Sequence, residues 1–172
     1  MGALSAHTLG DRWKTSLINI LLVENNLGDV RLLQELAGAA EFPFEIVHSK
    51  SFASALEVLA NGGPDVVLLD LGLPDAKGSD AVRRIRDAAP DLPLVVLTGV
   101  DDETLAIESL KEGAQDYLVK GNIGSNSLRR ALRYAMERQR VQLELINLSL
   151  IDDLTGLYNH KGFFALAEHR VS

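Results

Sequence analysis

The run Val66-Val67-Leu68-Leu69-Asp70 constrains this chain more than any other stretch. Four consecutive apolar residues end on one carboxylate. A run that is apolar on both faces suits a central strand of a parallel sheet, because helices cover such a strand on both sides. Leu71 to Gly78 then reads as a loop, punctuated by Gly72, Pro74 and Gly78. Asp70 therefore stands where a buried strand ends. In open α/β sheets, ligands bind just outside the carboxyl ends of the strands. The run alone leaves a second reading open, in which Asp70 only caps a turn.

The rest of the chain alternates in the same way. Leu17 to Val23 is apolar and β-branched, and reads as a buried strand ending at Glu24-Asn25-Asn26. Val30, Leu33, Leu36, Ala37 and Ala40 recur at helical spacing, with Asp29 near the helix start. Phe44 to His48 alternates as an edge strand does. Ser51 is placed to cap a helix that Asn61-Gly62-Gly63-Pro64 stops. After the Val66 strand come a helix from Ser79 to Ala88 and a strand from Leu94 to Leu97, ending at Thr98-Gly99. A helix opened by Asp101-Asp102 and closed by Gly113 follows, then a strand from Asp116 to Val119 that ends at Lys120-Gly121.

Five such alternations predict an α/β fold, a doubly wound parallel sheet of five strands with helices on both faces. The fifth helix starts near Ser125, covers the sheet with its early part, Leu128 to Ala135, and then outruns the domain. Leu132, Met136, Leu143, Ile146 and Leu150 keep a three-four spacing, interrupted by Gln139 and flanked by Arg129, Arg130, Arg133, Glu137, Arg138 and Arg140. That spacing is a heptad seam with one polar position, and it points to a partner helix and a homodimer.

Composition narrows the class. The 172 residues suffice for one domain and an appendage. A net charge of −7 argues against nucleic-acid binding. With no cysteine, disulfides and thiolate metal sites are excluded. No apolar run approaches the roughly 18 residues of a membrane span. Residues 1–16 lack the apolar stretch of a signal peptide and read as a tail, so a cytoplasmic location is expected.

Four strand ends carry Glu24-Asn25, Asp70, Thr98 and Lys120, and in a 2-1-3-4-5 strand order they line one edge. Glu24, Asn25 and Asp70 offer oxygen ligands to Mg²⁺. Asp70 can act as a nucleophile and form an acyl phosphate. Lys120 supplies a compensating charge, and the Thr98 hydroxyl can hydrogen-bond a phosphoryl oxygen. Singly, each has a plainer reading as a turn residue, a surface charge or a helix-dipole partner.

The segments LLVENN, VVLLDLGLPDAKG, VVLTG and DYLVKG resemble those of bacterial two-component response regulator receiver domains, across about Leu17 to Arg140. The resemblance implies the flavodoxin-like 2-1-3-4-5 order and Asp70 as phosphoacceptor. It implies a metal site of Glu24, Asn25, Asp70 and the Gly72 carbonyl, with Thr98 and Lys120 binding the phosphoryl group. Tyr117 matches the aromatic switch residue, and Gly99 the small residue that leaves room for phosphate. Two positions depart from the family pattern. Asn25 stands where a second carboxylate is usual, which lowers the charge offered to a metal. Gly121 follows the lysine where proline is common.

Leu148 to Phe163, with Asp-x-Leu-Thr-Gly-Leu-x-Asn at Asp152 to Asn159, is similar to the opening of a GGDEF diguanylate cyclase domain. Where that family has two arginines this chain has His160-Lys161, and no Gly-Gly-Asp/Glu-Glu-Phe signature follows. The expected organisation is a tail over 1–16, a receiver over 17–135, a coiled-coil linker over 136–153 and the start of a GGDEF domain over 154–172. As it stands the chain is not expected to be an enzyme. It would take phosphate from a sensor histidine kinase or phosphotransfer protein, with Mg²⁺ as cofactor, and pass the signal through a dimeric fifth helix. Other readings are a pseudo-receiver that only dimerises, which Asn25 favours, and a small Mg²⁺-dependent phosphotransfer or phosphatase enzyme. A nucleotide binder of the same fold is disfavoured, because Asn25-Asn26-Leu27-Gly28 holds a single glycine.

Overall fold

A computed structural model of the chain describes residues 17–39 and 44–150. The expected tail, residues 1–16, and the expected GGDEF start, residues 154–172, lie outside the described residues. Five strands form one parallel sheet: β1 (Ile18–Val23), β2 (Phe44–Ser49), β3 (Val66–Asp70), β6 (Leu94–Thr98) and β7 (Asp116–Val119). Their order is β2-β1-β3-β6-β7, the flavodoxin-like arrangement. The helices are α1 (Leu27–Gly38), α2 (Phe52–Asn61), α3 (Gly78–Ala88), α4 (Glu103–Lys111) and α5 (Ser125–Leu150).

Side-chain alternation divides the sheet between two cores. Val67 and Leu69 of β3 point to one side, with Leu21, Val23, Leu94 and Val96, where Phe52, Val82 and Ile85 cover them. Val66 and Leu68 point to the other side, with Ile20, Leu22, Val95 and Leu97, under Val30, Leu33, Leu128 and Leu132. A strand buried on both faces has no polar face to spare, which is why β3 and β6 are unbroken apolar runs. Each such Leu or Val contributes about 1.5–3 kcal/mol by leaving water. β2, at the sheet edge, alternates half-buried with exposed residues as its sequence does.

The segment after β3 is more ordered than a loop. Gly72–Leu73 (β4) and Ala76–Lys77 (β5) pair as a two-residue antiparallel hairpin around Pro74-Asp75. Leu71, Leu73 and Ala76 anchor it in the first core. Asp75, at its tip, accepts the backbone N–H groups of Phe52 (3.0 Å) and Ala53 (3.1 Å). It thus caps α2 across the chain, beside the local capping box of Ser51 and Ser54.

Along α5, Leu128, Ala131, Leu132 and Ala135 are buried, Met136 packs on the same core, and Gln139 is 6% exposed. The Gln115 side-chain N–H₂ donates to Gln139 Oε1, and Gln115 Oε1 accepts from Leu94 N–H (2.7 Å) and the Arg86 guanidinium. Leu132 covers the sheet, as expected for Leu128 to Ala135, whereas Met136 and Gln139, expected on a heptad seam toward a partner helix, are engaged within the domain. Gln139 is held there because the N-terminal edge of β6–β7 presents the Gln115 amide, which must be paired once buried. The chain divides after Gln139: one compact unit ends there and a second begins at Arg140. In the second unit, Arg140 pairs with Glu144 at 2.9 Å, and Leu145, Ile146 and Leu148 are exposed.

Backbone N–H donation, first from Phe52, holds the Asp75 carboxyl below its ordinary value. A lowered folded value stabilises above the unfolded value of 3.8, and that stabilisation is lost as the pH falls through the folded one. Asp75→Ala should therefore cost about 1 kcal/mol at neutral pH, the usual cost of a lost cap. In urea titrations the gap to the parent protein should narrow below pH 3.8. A gap that does not change with pH would show that the charge of Asp75 is not what caps α2.

Candidate functional site

The site begins with how β1 ends. Glu24 N–H donates to Ser49 O (3.1 Å), so the parallel pairing with β2 runs one residue past the strand and Glu24 is fully buried. Its Oε1 accepts the Asn26 N–H at 3.0 Å. Asn26 in turn caps α1, its Oδ1 accepting from Gly28 (2.8 Å) and Asp29 (3.3 Å). The Glu-Asn-Asn run thus serves as strand end, turn and helix cap at once.

Asp70 closes β3. Its Oδ1 accepts the Gly72 N–H at 3.1 Å, and the Leu71 N–H donates to Leu97 O at 3.2 Å. Thr98 closes β6 and is buried; its carbonyl accepts the Lys120 N–H at 2.8 Å, which fixes the lysine one strand away. Gly121 then turns the chain at φ +85°, a left-handed angle that glycine takes without strain.

Glu24, Asn25, Asp70, Gly72, Thr98 and Lys120 all line one cleft of about 400 Å³. Tyr117 is not among the lining residues; it is half-buried against the first core. The lysine is the centre of the cleft. Its Nζ lies 2.6 Å from Glu24 Oε2, 3.0 Å from Asp70 Oδ1 and 3.1 Å from Asp29 Oδ2. The pairing at Glu24 Oε2 is an ion pair outside regular hydrogen-bond geometry, and that buried oxygen takes no regular hydrogen bond from the described residues.

Burial raises the Glu24 carboxyl above its ordinary value and the charge of Asp70 adds to this, while Lys120 and the Asn26 N–H oppose it. Burial also works to lower the Lys120 ammonium. Its close pairing with the Glu24 and Asp70 carboxylates outweighs that, and the group is held above the ordinary lysine range.

Sequence reasoning did not place Asp29 against the lysine of the cleft. The signal was available: α1 starts three residues after Glu24, so its first turn stands over the strand ends. Asp102 is a second such residue. It lines the cleft, and a Cβ on Gly99 would meet its Oδ2 at 3.0 Å. Among the described residues, no three His, Cys, Asp or Glu side chains form a group able to hold a metal ion. Any metal here would depend on two carboxylates supplemented by neutral oxygens.

Lys120→Met should leave two buried carboxylates without their cation. Glu24, with its value already raised, favours the folded state only when protonated, so the loss grows as the pH climbs through its folded value. Thermal melts should show a small deficit for the variant near pH 4.5 and a larger one at neutral pH. A deficit of the same size at both would mean that the ammonium does not carry the charge balance.

Comparisons with known proteins agree with this fold. The swarming motility regulation protein RssB of Serratia marcescens is 38% identical over 104 residues, covering 60% of this chain and 46% of that protein. The regulatory protein LuxO of Vibrio cholerae is 39% identical over 66 residues, covering 38% and 14%. The chain thus spans less than half the length of these relatives. The signal receiver domain of an HD domain-containing protein from Pseudomonas fluorescens Pf-5 superposes with a TM-score of 0.65 at 30% identity, covering 74% of this chain and 92% of that one. The family model for the response regulator receiver domain matches residues 20–133, well over half of the sequence, and the chain belongs to that family.

Proposed function

We propose that this receiver is a phosphorylation-controlled switch with Asp70 as its phosphoacceptor. The observation that carries the reading is the Asp70 carboxylate at a buried strand end, with Oδ1 held by Lys120 and the Gly72 N–H. Oδ2 carries neither contact and is the oxygen that attacks phosphorus. The donor is a phosphohistidine of a sensor kinase or phosphotransfer protein. The new O–P bond forms as the N–P bond breaks, and the imidazole keeps the electron pair. The Thr98 hydroxyl donates to one phosphoryl oxygen and the Lys120 ammonium pairs with another.

The residues fit a Mg²⁺ ion. Glu24 Oε2 is a buried carboxylate oxygen without a regular hydrogen bond, and Mg²⁺ needs only a few protein oxygens because it keeps its waters. Glu24, Asp70, the Asn25 amide oxygen and the Gly72 carbonyl would hold it. When bound, it supplies positive charge beside the transferring phosphoryl group. Movement of Thr98 toward that group vacates space for Tyr117, which changes the surface of α4, β7 and α5.

Downstream, α5 carries the change toward an output that begins like a GGDEF domain. Leu143, Ile146 and Leu150 keep the three-four spacing beyond the receiver, and Ile146 is 50% exposed. A parallel homodimer through this part of the helix would bring two outputs to the same side. A second reading rests on Asn25: with one carboxylate fewer, the chain could be a pseudo-receiver that dimerises without phosphate. A cytoplasmic location fits either reading.

Incubation with Mg²⁺ and acetyl phosphate should add one phosphoryl group by intact-mass spectrometry, and Asp70→Asn should abolish it. An unchanged mass for the parent protein over a wide Mg²⁺ range would favour the pseudo-receiver. Light scattering on the unphosphorylated protein should give a dimer that Ile146→Asp dissociates without loss of the Asp70 reaction. A monomer at high concentration, unaltered by that change, would remove the coiled coil.

A further inference from the structure

Lys120 has three ammonium protons and three carboxylates around it, from β1, α1 and β3. The three are not equivalent. The Glu24 side chain is fully buried and that of Asp70 is 7% exposed, whereas that of Asp29 is 33% exposed and makes the longest of the three contacts. Asp29 therefore closes the solvent side of the ammonium. It is also the partner most easily given up, because water can replace it.

The charge balance gives Asp29 a second use. Asn25 is neutral, so the carboxylates set against Lys120 are Glu24, Asp70 and Asp102 in the lining of the cleft and Asp29 on the ammonium itself. Four negative charges and one positive leave an excess of three, one of them from Asp29. Without Asp29 the excess offered to a divalent cation would fall to two.

We propose that Asp29 is a positioning residue, the exchangeable anchor of Lys120, which supplies the carboxylate charge that Asn25 lacks and yields its ammonium proton to a phosphoryl oxygen on Asp70. The inference rests on Asp70 being the phosphoacceptor only in that last step. In the resting protein, Asp29 holds the ammonium at the mouth of the cleft. On phosphorylation, the lysine keeps Glu24 and exchanges Asp29 for the incoming oxygen.

The test uses the full chain without any phosphodonor, so it decides the role of Asp29 even if Asp70 takes no phosphate. Two quantities are read: the Mg²⁺ dissociation constant by calorimetry, and the water-exchange rate of the Lys120 ammonium protons by ¹⁵N NMR. Asp29→Asn should weaken Mg²⁺ binding roughly fivefold, as loss of one nearby charge at a partly exposed site implies, and should speed ammonium exchange. Asp29→Glu should preserve both. Asn25→Asp on the Asp29→Asn background should restore Mg²⁺ affinity but not slow exchange, because it returns the charge without the contact. Parent-like values for both quantities in Asp29→Asn would overturn the proposal. So would weaker Mg²⁺ binding with ammonium exchange unchanged, since a charge acting at a distance needs no anchor.

Discussion

One ammonium group holds the working edge of this fold together. Glu24 is cut off from water at the end of β1, and a carboxylate there is tolerable only with a cation against it. Lys120 reaches it from three strands away across the sheet. The same ammonium touches Asp70 on the strand between and Asp29 on the helix above. Removing the cation would expose every one of those charges to its neighbours. The order β2-β1-β3-β6-β7 matters for this reason: it brings the ends of β1, β3 and β7 within reach of one side chain.

The sheet supplies the rigidity that this arrangement needs. Its strands are dry on both faces where the chemistry is densest, and their alternation locks each residue to one core or the other. A slip of one residue in β3 would turn Asp70 away from Lys120 and exchange the two cores' side chains. The hairpin after β3 adds a second restraint. Through Asp75 it ties the segment next to Asp70 to the start of α2, so the far wall of the cleft is held by hydrogen bonds as well as by packing.

Much of this was legible in the sequence, and the legible parts share a cause. Unbroken apolar runs mark β3 and β6, alternation marks β2, and Ser51 marks the start of α2, because each pattern is local. The site residues at strand ends were legible once the strands were, since topology alone lines those ends along one edge. What was not legible depends on contacts far apart in the chain. Asp75 passed unremarked inside a stretch read as loop because its partners lie 23 and 22 residues away. Asp29 looked like a helix-dipole charge because its partner is Lys120. Gln139 looked like a break in a heptad seam, and only the Gln115 amide beside it explains why a polar residue is buried there.

That buried pair of amides sets how α5 can move. Gln115 is shared among Leu94 N–H, the Arg86 guanidinium and Gln139, and Arg138 donates to the Gln115 carbonyl at 2.8 Å. Turning α5 by one residue, about 100°, would carry Gln139 away and orphan an amide, at about 1–3 kcal/mol for each group left without a partner. The helix therefore has indexed seatings, not a continuum of angles, much as a key does in its lock. Only a displacement large enough to withdraw the whole latch can reset the helix, which makes this end of the receiver a threshold element.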